Sequence, residues 1–209
     1  MKVSKTLDAI ALAPENGEKP TNLLVMLHGW GANLQDLAPL AQMLNLPGFE
    51  YIFPNAPFPH PQVPGGRAWY ALETSEYDGL AESRTILFEW LQSLEASTGI
   101  PPEKTILAGF SQGGAMALDL GLSLPFAALC SLSGYLHYHP QQKDIFLPPT
   151  LIVHGKYDPV VPVQAAQTAR DELAAIGLTI EYHELEMGHE ISPSELDLSK
   201  KFITTQMNN

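Results

Sequence analysis

Thr105-Ile106-Leu107-Ala108-Gly109-Phe110-Ser111-Gln112-Gly113-Gly114-Ala115-Met116-Ala117-Leu118-Asp119-Leu120 decides how the chain reads. A short apolar run leads into a serine flanked by glycines, and a run of good helix formers follows. A strand, a tight turn and a helix around G-x-S-x-G is the setting of a nucleophile elbow. The turn must bring residues two before and two after the serine close together. Side chains at Gly109 and Gly113 would collide there, and glycine accepts the unusual dihedrals without a Cβ penalty. The Ser111 hydroxyl is then held above the sheet, and the Gln112 N–H opens a helix, where negative charge is favoured. A bare G-x-S-x-G also recurs by chance as a glycine-rich loop, so its partners must be found elsewhere in the chain.

Outward from that stretch, strands alternate with helices. Asn22–Leu27 is a continuous apolar run, as suits a strand buried on both faces, and it stops at His28-Gly29-Trp30-Gly31. Leu34, Leu37, Leu40, Ala41 and Leu44 then fall at helical spacing behind an Asn33 cap. Leu7–Ala13 reads as an edge strand ended by Pro14-Glu15-Asn16-Gly17, and Tyr51-Ile52-Phe53 as a short strand ended by Pro54. Leu80 to Ala96 has helical period, with Gly99 as its stop. Further strands are expected at 127–132, 150–153 and 178–185. Helices are expected at 164–176 and after Ser192-Pro193. The alternation predicts an α/β fold, with a largely parallel sheet covered by helices on both faces. Residues 1–209 read as one domain, without repeat or linker.

In such sheets chemistry gathers at the carboxyl ends of the strands. His28-Gly29-Trp30, Ser111, Asp158 and His189 each follow a predicted strand and are expected along one edge. Ser…Asp…His is also the chain order that accompanies a strand–elbow–helix arrangement. Taken singly, Asp158 before Pro159 suits an Asx turn, and His189 suits an exposed loop histidine. Together with Ser111 they supply a hydroxyl, a base and a carboxylate to orient the base. The N–H groups of Trp30 and Gln112 are the expected oxyanion donors. His28 and His154 are read as structural, and His60, His137, His139 and His183 as surface or loop residues. Asp119 is expected to point away from any imidazole. His137 and His139 have no acidic or thiol partner spaced to complete a metal site, and no cofactor is called for.

Residues 55–78 are proline-stiffened and aromatic, with Pro57, Pro59, Pro61, Pro64, Trp69 and Tyr70, and read as an ordered binding loop. Trp69, Tyr70 and Leu72 are the expected apolar wall of a substrate site. The net charge of −12, with no long basic run, disfavours nucleic acid and anionic headgroups as partners. The single cysteine, Cys130, excludes an intrachain disulfide and reads as a small core residue. No apolar stretch suits a signal or a membrane span, so a soluble, cytoplasmic protein without stable membrane association is expected.

Several blocks occur in a telling order: Leu27-His28-Gly29-Trp30-Gly31, Pro54-Asn55-Ala56-Pro57, Trp69-Tyr70, Gly109-Phe110-Ser111-Gln112-Gly113-Gly114, Leu132-Ser133-Gly134-Tyr135-Leu136, His154-Gly155, Asp158-Pro159-Val160-Val161-Pro162 and Gly188-His189. In this the chain resembles the small α/β-hydrolases of the carboxylesterase, lysophospholipase-like and acyl-protein thioesterase group. The resemblance implies Ser111, Asp158 and His189 as a catalytic triad and the amides of Trp30 and Gln112 as the oxyanion hole. Trp30 departs from the family, which more often has leucine there, and the main-chain amide is unaffected. A serine carboxylesterase acting on short- to medium-chain acyl esters is implied, with acyl-protein thioesterase or lysophospholipase as the alternative. Homodimers formed through the face near the site are implied as well. The short stretch between Leu136 and the next strand leaves no room for a helical cap domain, so an open, shallow site is expected.

Overall fold

Two strands with no polar break, β2 (Asn22–Leu27) and β6 (Thr105–Phe110), lie side by side at the centre of a seven-stranded sheet. The computed structural model describes residues 7–14, 17–72, 77–141 and 146–208. The strand order is β1-β3-β2-β6-β7-β8-β9, with β1 (Ala9–Leu12), β3 (Phe49–Pro54), β7 (Ala128–Leu132), β8 (Thr150–Gly155) and β9 (Ile180–Leu185). Only β1 runs antiparallel, against β3; the other neighbouring pairs are parallel. The central strands are buried along almost their whole length because helices cover both faces.

Alternate residues of each strand feed two separate cores. One face packs α3 (Leu80–Thr98), α4 (Gln112–Gly121) and α5 (Val163–Ala175), through residues such as Leu87, Trp90, Met116 and Leu173. The other packs α1 (Leu34–Leu37), α2 (Leu40–Leu44) and α6 (Pro193–Met207), through Leu37, Leu44, Phe202 and Ile203. Cys130 is fully buried in this second core, and burial pushes its thiol far up. It is inert filler, as its neighbours suggested.

Two expectations need correction. The helix read across residues 34–44 is two short ones, because Pro39 lacks an N–H and its ring clashes with the preceding turn. Asn33 does cap the first, as half of a reciprocal capping box with Asp36. The 55–78 stretch is more than a loop. Phe58–Pro59 (β4) and Arg67–Ala68 (β5) pair as a small antiparallel ribbon. Glu15 and Asn16 of the first turn, and residues 73–76 of this segment, lie outside the described residues.

Candidate active site

The sheet delivers its strand ends to one edge, and the chain folds back sharply at each. At the end of β6, Ser111 adopts φ 53° and ψ −118° before α4 begins at Gln112. A non-glycine residue with positive φ is strained, and such strain persists only where its surroundings over-determine it. They do so here. The Ser111 N–H donates to the Leu132 carbonyl (2.8 Å) and its carbonyl accepts from Ala115 (3.0 Å). A Cβ on Gly113 would overlap the Leu27 carbonyl and lie 2.7 Å from that of His28, and one on Gly109 would overlap the backbone of Gly113. The two glycines are therefore required by close approach, as the motif implied.

Asp158 sits three residues beyond β8. Its Oδ1 accepts the N–H groups of Val160 and Val161 (both 2.8 Å), and its Oδ2 accepts from His189 Nδ1 at 2.6 Å. Burial works against the charge. The imidazole and the amides of Val161 and Val160 outweigh it and hold the carboxyl below the usual carboxylate range. With its proton on Nδ1, His189 turns Nε2 as an acceptor toward Ser111 Oγ at 2.9 Å. The ring of Phe110 packs against the imidazole, with centroids 4.9 Å apart. Ser111, His189 and Asp158, remote in sequence, thus form one hydrogen-bonded line. His154, four residues before Asp158, braces the turn: its Nε2 donates to the Val161 carbonyl (2.8 Å) and stands 3.5 Å from Asp158 Oδ2.

The loop after β2 abuts the elbow, since a Cβ on Gly29 would stand 3.3 Å from that of Ser111. His28 fixes the root of that loop. Its Nε2 accepts the Ala56 N–H (3.0 Å), so the proton lies on Nδ1, which donates to the Gly29 carbonyl (2.7 Å). Burial pulls this imidazole down to about 4, so it stays neutral at physiological pH. The β4–β5 ribbon clamps the loop's far end, with Gly31 N–H donating to Arg67 O and Arg67 N–H to Ala32 O (2.9 Å each). Gln112 opens α4, so its N–H has no acceptor within the helix.

Beside Trp30 lies a mainly apolar cleft of about 440 Å³, lined by Phe58, Pro61, Ala68, Tyr70 and Ala71 among others, with Asp78 and Glu82 also in its wall. Tyr70 is part of this wall. Burial and the neighbouring Tyr135 push its phenol well up, so it presents a neutral surface. The other two expected wall residues are placed differently. Trp69 is 0% exposed and packed beneath the wall against His28, while Leu72 is 39% exposed and outside the cleft's lining. Phe58 and Ala68 take their places.

Asp119 is placed against expectation, and two of the loop histidines have buried side chains. His137 is buried: its Nε2 is bonded to the Tyr70 hydroxyl (2.7 Å), and its Nδ1 stands 3.3 Å from Asp119 Oδ2. Asp119 therefore faces an imidazole, and it also pairs with Arg84 (3.0 Å). His60 is buried too, its ring packed on Trp30 with centroids 4.2 Å apart. His139 pairs with Glu172 (2.7 Å), so His137 and His139 serve different partners.

A family model described as phospholipase/carboxylesterase matches residues 10–207. Acyl-protein thioesterase 1 of Mycosarcoma maydis is 31% identical, with 94% of each chain covered. Lysophospholipase-like protein 1 of Mus musculus is 28% identical over 88% of this chain and 86% of the relative. Among solved structures, esterase PE8 superposes with a TM-score of 0.89 at 33% identity, covering 96% of this chain and 99% of its own. The Bacillus cereus carboxylesterase shares the fold, with a TM-score of 0.83 at 15% identity over 97% and 95% of the two chains. No helix among the described residues is long and apolar enough to cross a membrane. On its sheet order, its strand–elbow–helix and the extent of these matches, the chain belongs to the phospholipase/carboxylesterase family and is a serine hydrolase of the α/β-hydrolase fold.

Proposed function

We propose that the chain is a serine carboxylesterase that hydrolyses short- to medium-chain acyl esters through an acyl-enzyme. The observation that carries this is the line from Ser111 Oγ to His189 Nε2 (2.9 Å) and from His189 Nδ1 to Asp158 Oδ2 (2.6 Å). Ser111 Oγ bonds to the ester carbon as His189 Nε2 takes its proton. The carbonyl electron pair moves onto the oxygen, which the N–H groups of Trp30 and Gln112 receive. Collapse of that intermediate breaks the bond to the leaving alcohol, which departs with the proton from His189. Water then repeats the sequence on the acyl-enzyme and frees the acid. Asp158 holds the imidazole in the tautomer that can accept. The cleft beside Trp30, with Phe58, Ala68 and Tyr70 in its wall, takes the apolar part of the substrate.

A fluorophosphonate probe should label Ser111 alone and fail to label Ser111→Ala. Labelling at any other serine overturns the assignment. The second reading, an acyl-protein thioesterase or lysophospholipase, uses the same groups on a thioester or a lysophospholipid. It is favoured by relatives bearing those names at 28–31% identity. A chain-length series of p-nitrophenyl esters, set beside an S-palmitoylated peptide and a lysophospholipid, separates the readings by kcat/KM.

A further inference from the structure

The side chain of Gln112 reaches away from Ser111. Its Oε1 accepts the Trp69 N–H and its Nε2 donates to the Tyr70 carbonyl, both at 2.9 Å. A primary amide thus pairs with the backbone of residues 69–70 as a neighbouring strand would. Trp69 also donates its indole Nε1–H to the His28 carbonyl (2.9 Å), and its own carbonyl accepts from Ser83 Oγ on α3. Gln112, Trp69, His28 and Ser83 are all 0% exposed. Trp69 is therefore bonded at once to the head of α4 and to the strand end two residues before Trp30. Those two segments carry the N–H groups assigned to the oxyanion. One belongs to a helix and the other to a loop, so their spacing depends on what ties them together.

We propose that Trp69 and the Gln112 side chain are positioning residues that set the distance between the two oxyanion donors. The proposal rests on the catalytic reading above. Such donors act only when aimed at the place where charge develops, about 2.7–3.1 Å from the oxygen. Buried polar groups are costly to leave unpaired, so the three hydrogen bonds through Trp69 and the one from Gln112 to Tyr70 favour one discrete arrangement over a range of them. Neither side chain meets the acyl group: the indole lies under the cleft wall, and the Gln112 amide is spent on backbone. Loosening the tie should weaken the transition state and leave substrate binding alone.

The test uses the full chain with Trp69→Phe, which keeps a ring but deletes Nε1–H, and Gln112→Met, which keeps the backbone N–H but deletes both side-chain bonds. Each should lower kcat roughly 10- to 100-fold, with KM within about threefold of wild type. A trifluoromethyl ketone forms a hemiketal with Ser111 Oγ, placing an oxyanion at the two amides while the serine proton passes to His189. Its affinity should fall in step with kcat/KM. A merely structural role would lower the melting temperature and leave kcat per folded molecule and ketone affinity unchanged, which overturns the proposal. If Gln112→Met does not fold, Trp69→Phe and Ser83→Ala decide on the same readouts. Fluorophosphonate labelling of the wild type separates the two levels. An unlabelled Ser111 sinks the catalytic reading, whereas a labelled Ser111 with fully active variants sinks only the positioning role.

Discussion

Replacing Asp158 by asparagine changes one atom in a fully buried side chain whose two oxygens hold three hydrogen bonds. The new NH₂ must face either His189 or the amides of Val160 and Val161. Facing His189, it meets the Nδ1–H as donor against donor, and the imidazole relieves this by moving its proton to Nε2. That nitrogen stands 2.9 Å from Ser111 Oγ and then no longer accepts the serine proton. Facing the amides, it strips both N–H groups of their acceptor at about 1–3 kcal/mol each, so the first arrangement wins by several kcal/mol. The negative charge that steadies the imidazolium is lost in both. On the catalytic reading above, kcat should fall roughly 10³- to 10⁴-fold, a barrier increase of about 4–5.5 kcal/mol, with KM little changed. Steady-state hydrolysis of p-nitrophenyl butyrate, beside circular-dichroism melting to confirm the fold, measures it. A folded variant retaining more than about a tenth of kcat would refute the reasoning, because the imidazole would then be oriented by something else.

Glu195, in the first turn of α6, is 0% exposed, and neither carboxylate oxygen makes a well-formed hydrogen bond. Burial pushes it from 4.5 to about 8, against the pull of the Ser192 N–H and with a further push from Glu190. The folded state keeps this proton while the unfolded chain releases it, so stability falls as pH rises between those values. At about 1.4 kcal/mol per pH unit the loss has a ceiling of about 5 kcal/mol. Glu195→Gln should therefore gain melting temperature over wild type by several degrees more at pH 8.5 than at pH 5, and parallel curves in calorimetry would contradict this. Asp158 has the opposite sign. Its depressed folded value adds stability above the ordinary carboxylate range, which is lost as pH falls through that folded value. Wild type should accordingly lose more stability on acidification below about pH 4 than Asp158→Asn does, as acid titration followed by circular dichroism would reveal. Gly113→Ala must drive the head of α4 away from the Leu27 and His28 carbonyls. A displacement near 1 Å costs on the order of 100-fold in kcat, so unchanged kinetics would mean that the elbow is slack.

The amino-acid sequence by itself determined the alternation of strands and helices, the elbow and the order Ser111, Asp158, His189. Each of these is local chemistry: apolar runs of strand length, glycines where backbones must approach, turn residues at strand ends. Parallel pairing then brings distant strand ends to one edge, so the line-up of the three residues was legible before any coordinates. What surrounds them was not. Trp69 reads as part of a substrate wall in a proline-rich stretch, and only the packing of α3, α4 and the β2 end around it makes it a buried hub. His137 and Asp119 lie on separate segments with no shared periodicity, and meet because the chain beyond β7 folds back over α4. Side-chain burial and long-range hydrogen bonding depend on which segments become neighbours, and the folded sheet and its two helical layers decide that.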